Sequence, residues 1–127
     1  MTRRYYTELR PTFTDREQWA LPTVLRTRAE RTPDATYLDF PEEQLTFSYG
    51  ETLASAERVG RALLDTGLEK GDRVIIMGAN SSRFVRTWLG TAVAGLVEVP
   101  INTAYEHDFL AHQVRTVEAR VAVIDDV

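Results

Sequence analysis

Between Gly71 and Tyr105 the chain passes from an apolar run, through a short polar loop, into an amphipathic stretch and out to a second apolar run. Val74-Ile75-Ile76-Met77 is apolar without alternation, which is the pattern of a strand covered on both faces in a parallel sheet. From about Ser82 to Ala94 apolar residues recur at Phe84, Val85, Trp88, Leu89 and Ala92, one face of a helix. Gly90 and Gly95 are small enough there for close packing or a stop. Leu96 to Val99 predicts the next strand, ended by Pro100. Strand, helix, strand is a βαβ unit, and the rest of the chain arranges itself about it.

Before this unit, Leu21, Val24, Leu25 and Ala29 mark a helix from about Leu21 to Arg31, with Pro22 in its first turn and Thr32-Pro33-Asp34 ending it. Ala35 to Phe40 and Gln44 to Phe47 are β-prone runs around Pro41-Glu42-Glu43 and predict a hairpin. Ser48 stands three residues before Glu51, a capping box that starts a second helix. Leu53, Ala56, Val59, Ala62 and Leu63 form its stripe, and Gly67 supplies the left-handed residue past its end. After the unit, a helix from about Ala104 to Val117 turns Phe109, Leu110, Val114 and Val117 inward, and Arg120 to Ile124 is a last strand. Residues 1–20 lack periodicity and read as an N-terminal extension, with Trp19 expected to anchor it. Residues 21–127 read as one α/β subdomain: a largely parallel sheet with flanking helices plus an N-terminal β-hairpin. A final strand at Val127 without a covering helix is expected of a truncated domain.

Composition changes this picture little. A chain of 127 residues, 43% hydrophobic and 27% charged, can bury one core. No apolar run approaches the roughly 20 residues of a membrane helix. The absence of cysteine excludes disulfide and thiolate chemistry. A net charge of −4 disfavours nucleic acid as a partner. Arg3 and Arg4 precede no apolar segment, so the start is neither a secretory nor a twin-arginine signal, and a cytoplasmic location is expected.

Candidate chemistry is sparse. The loop Gly78-Ala79-Asn80-Ser81-Ser82 follows a strand and opens a helix, a place where free N–H groups can bind an anion. Its single glycine matches no phosphate-loop spacing, so helix capping by Asn80, Ser81 or Ser82 is the favoured role. Asn102-Thr103 and Asp125-Asp126 follow strands, where ligands gather in open α/β sheets, but these residues also suit turns. His107 and His112 lie about 140° apart around a helix, which disfavours a shared metal. Asp108 and His112 could pair at i, i+4. Arg26, Arg28, Glu30 and Arg31 read as a solvated face, and Glu42-Glu43 as a turn.

One resemblance organises these pieces. Thr32-Pro33-Asp34-Ala35, Leu45-Thr46-Phe47-Ser48-Tyr49-Gly50-Glu51, Gly67-Leu68, Lys70-Gly71-Asp72-Arg73-Val74, Asn80-Ser81, Gly95 and Val99-Pro100-Ile101-Asn102-Thr103 follow one another in order. The series resembles the opening of the adenylate-forming (AMP-binding) superfamily, and the Pro-Ile-Asn-Thr-Ala-Tyr wording is most similar to its acyl-CoA ligase branch. The resemblance implies a partial subdomain of that family's N-terminal domain. It implies a parent enzyme that uses ATP and Mg²⁺ to turn a carboxylic acid into an acyl-adenylate, then passes the acyl group to CoA. The family's phosphate loop, adenine motif, ribose-binding Asp and catalytic Lys match no residue here. No catalytic, cofactor-binding or metal residue is therefore assigned, and the chain alone is expected to be inactive. Its expected partners are the remainder of the parent and, through unpaired strands, other copies of itself. A stand-alone, non-catalytic α/β interaction module is the alternative reading, and a small flavodoxin-like nucleotide binder a third.

Overall fold

The computed structural model describes residues 13–125. A short 3-10 turn at Arg16–Trp19 leads into α1 (Leu21–Arg31), β1 (Thr36–Phe40), β2 (Leu45–Ser48), α2 (Tyr49–Asp65), β3 (Arg73–Met77), α3 (Ser82–Val93), β4 (Val97–Ile101), α4 (His107–Val117) and β5 (Val121–Ile124). β1 and β2 form an antiparallel hairpin. The main sheet is parallel in the order β4-β3-β5, with Arg73 opposite Val97 and Val74 opposite Val121.

The capping box forms reciprocally. Glu51 N–H donates to Ser48 Oγ at 3.2 Å, and Ser48 N–H donates to the Glu51 carboxylate at 2.9 Å. Gly67 takes φ of +89°, the left-handed cap that only glycine adopts without strain.

Val74, Ile75 and Ile76 are all buried, so β3 is covered on both faces. Val74 and Ile76 pack with Leu63, Leu68 and Leu96, against which Phe84 and Trp88 of α3 rest. The other face carries Arg73, Ile75 and Met77. Arg73 donates to the Val117 carbonyl at 3.2 Å, which places the end of α4 on that side. A second cluster of Leu25, Ala56 and Leu89 joins α1, α2 and α3.

Six expectations are corrected. Pro100 lies inside β4 rather than ending it. Val97 N–H points inward to the Asp72 carbonyl, so residues 98 and 100 point outward, and a proline there removes no ladder bond. α4 starts at His107 rather than near Ala104, because Asn102 closes a turn: its side chain accepts from Ala104 N–H and its carbonyl from Tyr105 N–H. Phe109 and Val114 are exposed, at 56% and 45%. In α2 the buried face runs through Thr52, Ala56, Gly60 and Leu63, leaving Ala62 outside. Gln44 is left-handed, φ +54°, and turns the hairpin instead of joining its strand. Trp19 remains 54% exposed, held by its indole N–H donating to the Phe13 carbonyl rather than by the core. Arg3 and Arg4 lie outside the described residues.

Candidate functional site

The loop Gly78–Ser82 connects β3 to α3 and lies beyond the carboxyl end of the sheet. Ser81 is the N-cap: its hydroxyl accepts from Phe84 N–H at 3.2 Å. Ser82, buried at the first helical position, belongs to a second cap supplied from elsewhere in the chain. Glu43 reaches across from the tip of the β1–β2 hairpin and accepts from Ser82 N–H at 2.7 Å and from Ser82 Oγ at 2.6 Å. The 3-10 turn Pro41–Glu43 and the left-handed Gln44 aim it there.

These bonds from the Ser82 hydroxyl and N–H, together with nearby Arg83 and Arg86, hold the Glu43 carboxyl below the usual glutamate range. One turn along α3, the Arg86 guanidinium lies 5.4 Å over the Phe47 ring of the hairpin. Glu43 is therefore an inter-element cap and not only a turn residue. The link spans 39 positions, so no local sequence signal marks it.

Next to this latch a polar cleft of about 380 Å³ opens between the ends of β3 and β4, lined by Gly78, Asn80, Phe84, Asn102 and Thr103. Asn102 is engaged in its own turn. Asp125 does not face this cleft. It pairs with Arg83 at 3.3 Å and passes so close to Gly78 that a Cβ there would lie 2.8 Å from the Asp125 Cβ. Asp126 lies outside the described residues.

His107 is exposed, with φ +48° and its ring 3.8 Å from Glu106; Asp108 and His112 do not form the pair their spacing allows. No three His, Cys, Asp or Glu side chains converge on a metal position among the described residues. Arg28 leaves the expected solvated face and lies 5.2 Å over Tyr49, which stacks on Tyr37 at 4.5 Å. Burial, and then the Tyr49 hydroxyl nearby, raise the Tyr37 phenol above its ordinary range.

These residues do not fit a nucleotide triphosphate at the α3 N-terminus. The Ser82 and Phe84 amides already have acceptors, and the Glu43 carboxylate occupies the place an incoming anion would take. No step through ATP, Mg²⁺ or CoA follows from this loop.

Residues 25–127 match the family model described as "AMP-binding enzyme". The chain belongs to the AMP-binding enzyme family. The long-chain-fatty-acid–CoA ligase of Bacillus subtilis is 36% identical over 104 residues, 82% of this chain and 18% of that ligase. The mitochondrial medium-chain acyl-CoA ligase ACSF2 of Mus musculus is 34% identical over 70% of this chain and 14% of its own length. A Mycobacterium tuberculosis fatty acyl CoA synthetase superposes with a TM-score of 0.79 at 28% identity, covering 87% of this chain and 22% of that one. An inhibitor-bound N-terminal domain of FACL13 from the same organism gives 0.78 at 28% identity, with 26% of that domain covered. The chain thus corresponds to the N-terminal part of acyl-CoA synthetases and spans less than a fifth of these two curated relatives. In this chain the segment carries the βαβ unit and the hairpin latched to it by Glu43. The described part contains no helix long and apolar enough to cross a membrane.

Proposed function

We propose that this chain is the N-terminal scaffold of a cytoplasmic, ATP-dependent, AMP-forming acyl-CoA ligase, and that it does not adenylate a carboxylate alone. Residues 21–127 form the α/β subdomain and residues 1–20 precede it as an extension. In the parent, ATP and Mg²⁺ convert a carboxylic acid to an acyl-adenylate, and CoA then takes the acyl group. Such chemistry needs charge neutralisation on the triphosphate and in-line attack by the carboxylate.

One observation carries the division of labour. The helix N-terminus best placed to meet a phosphate is already capped by Glu43 through Ser82. The chain therefore supplies walls and framework, and the nucleotide-binding groups come from the remaining length that the relatives possess. Incubating the chain with ATP, Mg²⁺, CoA and a panel of carboxylates of increasing length tests this. Pyrophosphate release should stay at the blank; steady turnover would refute the scaffold reading. The exposed Phe109 and Val114 of α4 also favour weak self-association of the isolated chain, which light scattering over a concentration series reads directly.

A further inference from the structure

A cavity of about 400 Å³ opens where residues 13–19, α1, β1 and the start of α2 meet, and it shares no residue with the cleft at the sheet end or with the Glu43 latch. That volume lies in the range of small-molecule sites. Four rings wall it, those of Phe13, Trp19, Tyr37 and Tyr49, together with aliphatic side chains of α1 and with Arg28. Folding holds these rings in place without covering them all. The Trp19 indole is pinned by its N–H donating to the Phe13 carbonyl at 3.0 Å, yet 54% of the residue is exposed. Tyr37 and Tyr49 stack at 4.5 Å, 16° from parallel, and Tyr37 stays exposed. Rigid, solvated aromatic walls gain apolar contact from a flat ligand at little ordering cost.

The lining carries one charge, and it is positive. No carboxylate lines the cavity, and among the described residues the half-buried Arg28 forms no ion pair. Its guanidinium lies 5.2 Å over the Tyr49 ring. Stacking engages the face of a guanidinium and leaves the N–H donors of its edge in one plane, a fork that matches a carboxylate. Rings that keep water from one side of such a pair lower the local dielectric and strengthen it. A cation, the usual guest of an aromatic cage, would be repelled here by Arg28. An aliphatic chain would have to be ordered bond by bond, a cost that a flat ring does not carry.

We infer that this cavity is a binding site for a planar aromatic anion. The ring of the ligand lies against Trp19 and the Tyr37–Tyr49 pair, and its charge meets the Arg28 guanidinium. Such a site stands apart from the acid activation proposed for the parent and does not depend on it.

The probe is 2-naphthoate, titrated into the isotope-labelled chain and followed by NMR. Trp19 and Trp88, the two tryptophans of the chain, give separate indole N–H signals, which Trp19→Phe assigns. The Trp19 signal should shift saturably while that of Trp88 stays in place. The amide 2-naphthamide keeps the ring without the charge, and octanoate keeps the charge without the ring. Each should bind at least about tenfold more weakly than 2-naphthoate. Arg28→Met, which retains an apolar stem, should weaken 2-naphthoate about tenfold or more. Arg28→Lys, which loses the planar fork, should also weaken it, whereas Arg26→Met on the exposed side of α1 should not. The dispersion of each spectrum shows whether the variant is folded, and Arg28→Lys decides the matter if Arg28→Met does not fold. A Trp19 signal unmoved up to the solubility limit of the probe overturns the site, whether the chain itself or a second copy fills the cavity. Binding indifferent to the Arg28 variants, or equal for 2-naphthamide, overturns the anion. Equal binding of octanoate overturns the aromatic ligand.

Discussion

Gly90→Ala sets two well-known effects against each other. In a helix interior alanine is favoured over glycine by about 1 kcal/mol. By propensity alone, the substitution in α3 should stabilise. The packing opposes it. A Cβ at position 90 would lie 2.6 Å from the Val59 Cβ, 2.7 Å from its Cγ1 and 2.9 Å from the Ala56 carbonyl oxygen. Carbon atoms rest at roughly 3.5–4.0 Å, so α2 and α3 would have to part by close to 1 Å. Two of the three opposing atoms, a Cβ and a backbone oxygen, cannot rotate away. Overpacking of this kind costs about 1–3 kcal/mol. It also loosens Ala56 and Leu89, which share a buried cluster across the same crossing. With two fixed atoms in the way the packing term wins, for a net loss of up to about 2 kcal/mol, or up to roughly 10 °C in Tm for a domain of this size.

The partner glycine sharpens the test. A Cβ on Gly60 would meet the Gly90 carbonyl oxygen at 2.9 Å and the Ala94 Cβ at 3.2 Å. Once one substitution has forced the helices apart, the second meets a crossing already opened. Gly60→Ala with Gly90→Ala should cost less than the sum of the two, as expected for residues in contact. Urea melts followed by far-UV circular dichroism measure all three variants. An unchanged or raised midpoint for Gly90→Ala would refute the packing argument, and strict additivity would refute the shared-crossing argument.

Ser48→Ala should cost about 1 kcal/mol, because it removes the acceptor for Glu51 N–H in the α2 capping box; a thermal melt that does not move counts against the cap. The chain should also lose stability in acid through Glu43 and Asp72. Both carboxyls are held below their ordinary values of 4.5 and 3.8, Glu43 first by the Ser82 hydroxyl and Asp72 first by the Glu69 N–H and then by Arg120. The folded state therefore binds fewer protons than the unfolded state. Its advantage is complete above those ordinary values and disappears as pH falls through the lower folded ones. Urea midpoints taken from about pH 7 down to about pH 3 should fall, and Glu43→Gln with Asp72→Asn should flatten that fall.

The elements were legible where the signal is local. The α2 start was readable because both halves of its capping box lie within four residues, and β3 because an unbroken Val-Ile-Ile-Met run suits a strand covered on both sides. The depth of each apolar face was not readable. Phe109 and Val114 keep helical spacing, yet α4 rests on a narrow sheet and leaves them exposed. Periodicity gives the direction of a side chain and not what covers it. Pro100 misled for a similar reason: whether proline ends a strand depends on which way its missing N–H points, and that is set by pairing with β3. At the candidate site, Ser81 was within reach of a local reading, whereas Glu43 was not, since its partner is brought to it only by the tertiary fold.

Where each polar group finds its partner is also the physical ground for the proposed scaffold role. At the carboxyl end of the sheet, Ser81 caps Phe84 N–H, Glu43 takes both donors of Ser82, and Asn102 closes its own turn. Each of these groups could in principle meet a ligand, and each is already committed to holding a loop in place. Binding there would require breaking a short, charge-assisted pair at the helix start.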